Sequence, residues 1–439
     1  MKRSTLILFV TILFVMNLNV PIFSQEVKKL TLDDCIQIAL KNNTTIVSAK
    51  SSATMAAADF KSARGNFLPS VNGYSGWSMR DSEWNTIRFD QFVSSKESYY
   101  YQVELNQPIF TGFGNYASYV MNKAARDNSR FTLKWTQQTV ILDVKFKYYN
   151  VLKQQQLLKV AEEALNTSQE ELNRIQEMEK IGSTSRAEVY QQKVRMGQDK
   201  LALVDARNNV VKAKTELNYT LGIEITTPIE LVAESGEITA KALKKNFDEA
   251  VHRALNDRLD YKVAQNNMKS ARANVKYSRS TYYPNLAAFG RYSWWDVQFP
   301  QSKKDIDEFD SFTFGLNLSI NIFNGLKNSA GVQKAKAGVI SAEADLEQAK
   351  RRVTLDVKIA ELEIEKALEN LEVTKENVVS AEEDFRLASE RYRIGAGTLI
   401  EQLIAQSSLT RAKVNRIQAI YDYKYAVTAL DLAMGQLTW

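Results

Sequence analysis

Ser311-Phe312-Thr313-Phe314-Gly315-Leu316-Asn317-Leu318-Ser319-Ile320-Asn321-Ile322-Phe323 is the stretch on which the fold turns. In an extended chain successive side chains point to opposite faces. Phe312, Phe314, Leu316, Leu318, Ile320 and Ile322 therefore share one face, and Ser311, Thr313, Asn317, Ser319 and Asn321 the other. About ten residues of this alternation fit a barrel strand crossing a bilayer, apolar outward and polar inward. A half-buried strand of a soluble sandwich alternates in the same way, so the neighbouring segments have to decide.

Residues 98–110 repeat the pattern, with Tyr99, Tyr101, Val103 and Leu105 on one face and Tyr100, Gln102, Glu104 and Asn106 on the other. Aromatic residues gather at the strand ends: Tyr74, Trp77, Trp84, Tyr99 and Tyr100 in one group, Tyr282, Tyr283, Tyr292, Trp294 and Trp295 in the other. Such girdles mark the two membrane–water interfaces. The polar segments 80–96 and 297–310 then read as outer loops. Four strands are expected, at about 70–79, 98–110, 285–295 and 311–323. A single-chain outer-membrane barrel needs about eight or more. Four strands leave open edges, and unpaired backbone groups cost several kcal/mol each in lipid. Several chains must share one barrel, and three give a closed, even-numbered set of twelve.

Outward from the strands the chain is a repeat. Leu32-Asp33-Asp34-Cys35-Ile36 returns as Phe247-Asp248-Glu249-Ala250-Val251, and Phe67-Leu68-Pro69 as Tyr282-Tyr283-Pro284, both shifted by 215. A shift of 213 carries Ile109-Phe110-Thr111-Gly112 to Ile322-Phe323-Asn324-Gly325, Ile181-Gly182 to Ile394-Gly395, and Leu221-Gly222 to Met434-Gly435. Matching anchors in one order at a nearly constant offset indicate two copies of one plan. Each copy reads helix, strand, loop, strand, long helix, short turn, helix. The first helix is expected over about 32–64. Residues 115–179 contain no Gly or Pro, which predicts a helix of about 95 Å. Its counterpart covers about 327–392, interrupted only by Gly331 and Gly338. Helices of that length pack side by side as coiled coils or a helical tube. The expected organisation is a signal peptide over 1–24, an extension over 25–30, repeats over 31–222 and 247–439, and a linker over 223–246. Turns fall at 180–187 and 393–398, followed by helices to 221 and 435.

Composition agrees. Six prolines and seventeen glycines in 439 residues favour long uninterrupted helices. Lys2-Arg3, the apolar run from Leu6 to Val15 and the polar Ser24-Gln25 have the layout of a secretory signal cleaved near Ser24 or Gln25. Beyond it no run of 18 apolar residues offers a transmembrane helix. The net charge of +6 is spread without a basic stripe, so no nucleic acid is expected as a partner. One histidine, His252, and one cysteine, Cys35, exclude His-based triads, Cys/His zinc sites and thiol redox pairs. No catalytic, cofactor or metal site is expected, and the chain does not read as an enzyme. Gly112-Phe113-Gly114 lacks the residues that complete a phosphate-binding loop.

The layout resembles that of the TolC-type outer-membrane efflux proteins over essentially the whole mature chain. The most specific segments are Arg391-Tyr392-Arg393-Ile394-Gly395-Ala396-Gly397-Thr398-Leu399-Ile400-Glu401-Gln402-Leu403 and Lys180-Ile181-Gly182-Ser183-Thr184-Ser185-Arg186-Ala187-Glu188-Val189. The resemblance implies a mainly α-helical fold with a small membrane β-barrel: a homotrimer whose 12-stranded barrel, four strands per chain, is continued by a long α-helical coiled-coil barrel. It implies an outer-membrane channel of a Gram-negative-type cell, extending into the periplasm, in a tripartite efflux or type I secretion system. Its partners would be a periplasmic adaptor (membrane fusion) protein, an inner-membrane pump such as an RND or ABC transporter, and outer-membrane lipid.

The two quoted segments would be periplasmic tips that dock the adaptor and iris open. The tip residues carried over are Ile181, Gly182, Ser185 and Glu188 in one, and Ile394, Gly395, Thr398 and Glu401 in the other. Glutamate stands where the family more often has aspartate. Tyr392 matches a tyrosine that joins a gate-closing polar network in some members, so Tyr392, Glu401 and Ile404 are the expected gate. Ile404 occupies the place of a second acidic residue, and Gly397 that of an arginine, departures that argue against a doubled acidic ring and against the same salt-bridge lock. A structural role competes for the glutamates. Ser185-x-x-Glu188 and Thr398-x-x-Glu401 are both capping boxes, and Gly182 and Gly395 suit helix C-termini. An exported coiled-coil scaffold, anchored at the outer membrane without export activity, is the alternative function.

Overall fold

A computed structural model describes residues 28–232 and 247–437. The expected signal peptide, residues 25–27 of the extension and residues 233–246 of the linker lie outside the described residues. In chain order the elements are β1 (Lys28–Leu30), α1 (Leu32–Asn42), α2 (Thr44–Gly65), β2 (Ser70–Arg88), β3 (Gln91–Thr111), α3 (Gly114–Lys180), α4 (Arg186–Leu221) and β4 (Ile229–Leu231). There follow α5 (Phe247–Asp257), α6 (Leu259–Arg279), β5 (Asn285–Asp296), α7 (Lys303–Phe309), β6 (Asp310–Ser319), α8 (Lys327–Arg393) and α9 (Leu399–Ala433). Among the described residues no helix is long and apolar enough to cross a membrane.

α3 and α8 are each 67 residues long, on the order of 100 Å. Both start after two consecutive left-handed residues, Gly112-Phe113 and Gly325-Leu326. The internal repeat is thus present in backbone conformation as well as in residue type. Contacts divide the described chain into two compact units. One takes its described residues from 28–42, 143–232 and 373–421, the other from 43–142, 247–372 and 422–437.

The second unit holds the sheet. Its order is β2-β3-β5-β6, every pairing antiparallel, with β2 and β6 as open edges. Val103 pairs with Tyr292 and Tyr292 with Phe312, while Leu105 pairs with Gly290 and Gly290 with Phe314. Tyr99, Tyr101, Val103, Leu105, Phe312, Phe314, Leu316 and Leu318 therefore lie on one face of one sheet. Phe314 is 79% exposed and Leu316 68%. A continuous apolar surface of this kind is foreign to a water-facing sheet and is the lipid face of a barrel wall.

Three expected boundaries are corrected. Residues 80–96 are not a loop. β2 runs on to Arg88 and turns back through Phe89 and Asp90, both at positive φ, into β3. The pairing skips between Met79 and Trp84, and this irregularity breaks the alternation that would have announced a strand. Arg88 ties the hairpin end to the β5–β6 connection through ion pairs with Asp296 (3.2 Å) and Asp305 (3.0 Å). That connection itself contains α7, started by a capping box of Ser302 and Asp305.

Within this chain β6 ends at Ser319 rather than near Phe323, because β5, its neighbour among the described residues, begins at Asn285 opposite Ser319. Beyond that rung no strand among the described residues of the same chain pairs with it, and Ile322 is 93% exposed. Finally, the single helix expected over 32–64 is two helices. The Asn43 side chain accepts the Thr45 N–H at 3.0 Å and starts α2 afresh. The repeat-related break before α6 falls at Arg258, which lacks a side-chain cap. Arg258 is 3% exposed and ion-paired to Asp260 (2.6 Å) and Asp356 (2.9 Å).

In the first unit β1 and β4 form a parallel pair, Lys28 opposite Ile229. Gly222, at φ 69°, closes α4 so near to α1 that a Cβ there would meet the Asn42 carbonyl oxygen at 2.7 Å.

Candidate functional site at the helix tips

The two interhelical turns are built alike. After α3 the Ser183 N–H donates to Met178 O (2.9 Å) and the Gly182 N–H to Glu179 O (2.9 Å). After α8 the Ala396 N–H donates to Arg391 O (2.8 Å) and the Gly395 N–H to Tyr392 O (3.1 Å). This pair of hydrogen bonds closes a helix through one left-handed residue. Gly182 and Gly395 supply it at φ 75° and 72°. Ile181 and Ile394, which precede them, are 80% and 73% exposed.

The next helices start differently. Thr398 and Glu401 form the expected reciprocal box: the Glu401 N–H donates to Thr398 Oγ1 (3.2 Å) and the Thr398 N–H to Glu401 Oε2 (3.4 Å). Glu401 Oε2 also lies 3.9 Å from Arg391 Nη2. The Ser185 hydroxyl accepts the Glu188 N–H at 3.4 Å, but the Glu188 carboxylate does not reach back. It accepts instead from the Thr184 hydroxyl and, at 2.7 Å, from the Tyr392 hydroxyl in the last turn of α8. The box expected at Ser185 is half-formed because its carboxylate has found a partner in another helix.

Tyr392 is 7% exposed and belongs to a small core with Leu172, Ile175, Val189 and Leu399. Burial, and then the carboxylate it donates to, push its phenol up to about 12. The Arg174 guanidinium sits over its ring, 5.6 Å from the centroid. Of the expected gate, Tyr392 is thus joined to Glu188 rather than to Glu401. Ile404 stands apart, 62% exposed, on a groove of about 390 Å³ between α4 and α9 lined also by Val194, Ile400 and Leu403.

Behind the tips lies a buried polar layer that the sequence reading missed. The Ser168 hydroxyl of α3 donates to Asp199 of α4, which also accepts from Arg195 Nε at 3.1 Å. Gln192 Nε2 donates to the Ser168 carbonyl (2.9 Å), and Gln406 Nε2 of α9 approaches the Ser168 hydroxyl (3.4 Å). The available signal was the spacing of seven between Gln192 and Asp199, which puts two polar residues on one helix face in a core seam.

Comparison with known proteins accords with this architecture. TolC of Vibrio cholerae is 22% identical over 402 residues, covering 91% of this chain and 89% of that protein. A membrane protein from Pseudomonas aeruginosa superposes with a TM-score of 0.82 at 16% identity, covering 92% of this chain and 93% of that one. The CmeC outer membrane channel of Campylobacter jejuni gives 0.81 at 17% identity, covering 92% and 85%. The sequence profile of the outer membrane efflux proteins matches residues 35–223 and 250–436, one match in each repeat, and the chain belongs to that family.

Proposed function

We propose that three copies of this chain form the exit duct of a tripartite efflux or type I secretion system. The observation that carries this reading is the open four-stranded sheet, apolar and exposed on one face and unpaired at β2 and β6. In lipid those edges need partners. Edge-to-edge pairing of three such sheets supplies them and makes a barrel of twelve strands. The repeats 31–222 and 247–439 would then alternate around the axis, each adding two strands and one tip.

The tips are the proposed docking surface for a periplasmic adaptor (membrane fusion) protein working with an RND or ABC pump in the inner membrane. Exposed Ile181 and Ile394, each beside a turn fixed by a left-handed glycine, support that role. The Tyr392–Glu188 hydrogen bond, with Glu401 and Ile404 nearby in sequence, is the proposed clasp of the closed state. Opening is a shift between two populations, and an adaptor opens the tips only as far as it binds the open form better.

The mass of the particle extracted by detergent from the outer-membrane fraction, corrected for bound detergent, tests the reading. Three mature chains are expected. A water-soluble monomer or dimer would remove the barrel and leave an exported coiled-coil scaffold.

A further inference from the structure

The face of the sheet opposite the apolar one carries two charges that belong together. In the barrel stretches of the four strands, residues 70–79, 98–106, 285–295 and 311–319, the only charged residues are Glu104 and Arg291. They are direct cross-strand neighbours in the β3–β5 register. Arg291 Nη2 lies 3.4 Å from Glu104 Oε2, and Gln102 Nε2 donates to that same oxygen at 3.0 Å. The flanking positions on this rung are Asn72 of β2 and Thr313 of β6. The Arg291 and Glu104 side chains are 43% and 24% exposed, so the pair is open to solvent.

With the apolar face toward lipid, this rung faces the lumen, since a charge on the lipid face is disfavoured most strongly near mid-membrane. Resting on the channel reading above, we infer that Glu104 and Arg291 line the barrel as a charge-balanced girdle and set the charge selectivity of the exit. In a trimer three carboxylates and three guanidiniums stand at one level. Their fields cancel at distances beyond their separation, so neither sign of solute is favoured. Loss of either partner leaves three like charges around the passage. The pair thus suits an exit that passes solutes of either sign, or zwitterions, and leaves discrimination to parts upstream.

The test is ion selectivity in planar bilayers under a salt gradient, read from the reversal potential. E104Q is expected to shift it toward anions, R291Q toward cations, and the double variant to lie near the unmodified protein. Thiol labelling from the outer surface provides a readout that does not depend on the narrowest part of the duct. Glu104→Cys should react with a membrane-impermeant anionic thiol reagent faster than with a cationic one. One unit charge at about 7 Å in water speeds an anionic reagent about threefold and slows a cationic one about as much, a ratio of about sevenfold before salt screening. Adding Arg291→Gln should abolish that preference. The native thiol, Cys35, is fully buried and its pKa is pushed up to about 12, so it does not compete.

Absence of labelling, or a reagent preference unmoved by Arg291→Gln, overturns the inference, as do reversal potentials that shift the same way in both single variants. Particle mass is measured on the same preparations. A trimer without charge dependence removes only the girdle, whereas a particle that is not a trimer removes the channel reading itself.

Discussion

The two helix tips share a turn and differ in what they do with a carboxylate. Both close through a left-handed glycine, and both place a hydroxyl three residues before a glutamate. Glu401 folds back onto its own helix start, while Glu188 reaches across to Tyr392. The repeat offset of 213 identifies the substitutions responsible. Thr184, whose hydroxyl steers Glu188, corresponds to Gly397, which has no side chain to steer Glu401. A Cβ at Gly397 would also press to 3.1 Å from both Arg391 Cβ and Glu401 Oε2. Tyr392 corresponds to Glu179, which could only repel a second carboxylate. Identical turns can therefore carry different functions, because a cap satisfied by the backbone frees its carboxylate only where another donor competes for it.

The widest separation between the tips should come from Tyr392→Phe. It removes one donor from a charged acceptor, an interaction of about 1.5–3 kcal/mol. Amide hydrogen exchange in the first turn of α4 should accelerate, and single-channel conductance should rise, with trimers intact. Unchanged exchange would show that the bond does not hold the tips. The same bond predicts a pH response. The phenol lies near 10 when unperturbed and at about 12 here. A raised value means that the bonded, protonated form is the stabilised one. Its contribution is complete below pH 10 and is lost as pH rises through about 12. Conductance should rise over that window in the unmodified protein, and the rise should be absent in Tyr392→Phe.

Next in size are Gly182→Val and Gly395→Val. A branched side chain forced into a left-handed conformation costs about 1–2 kcal/mol. Since φ is nearly the same at the two sites, the losses should match, seen as equal increases in exchange at each turn and equal weakening of adaptor capture. Unequal capture would mean that only one tip docks. Unchanged capture by both variants would count against docking at the tips altogether.

Those glycines were legible because the requirement is local: a helix end, a β-branched residue, then a residue free to take positive φ. Strand alternation in 311–319 was legible for the same reason, since each residue declares its own face. The end of β6 was not, because it depends on where β5 begins. The hairpin over 80–96 was hidden by the pairing irregularity after Met79 and secured by Arg88 reaching Asp296, far along the chain. The clasp shows the same limit. Tyr392 and Glu188 could each be singled out from the sequence, but their pairing spans 204 positions, and the sequence placed Tyr392 in a gate with Glu401 and Ile404 and Glu188 among the docking residues. Local backbone demands are written in single residues, whereas partnerships between helices depend on register, which no short segment contains.

The smallest effect is the most discriminating. A capping box accepts glutamine in place of glutamate, because only a carbonyl-type oxygen has to reach the backbone N–H. Glu401→Gln should therefore alter exchange at the start of α9 by no more than about 0.5 kcal/mol, the scale of a weak surface ion pair such as Glu401 has with Arg391 at 3.9 Å. Glu188→Gln removes the charge from the acceptor to which Tyr392 and Thr184 both donate, so it should loosen the first tip by clearly more, approaching Tyr392→Phe. If the two glutamine variants behave alike, Glu188 is another helix cap and the clasp has no mechanical role. If only Glu188→Gln opens the channel, the asymmetry between the repeats resides in one carboxylate and the donors that divert it.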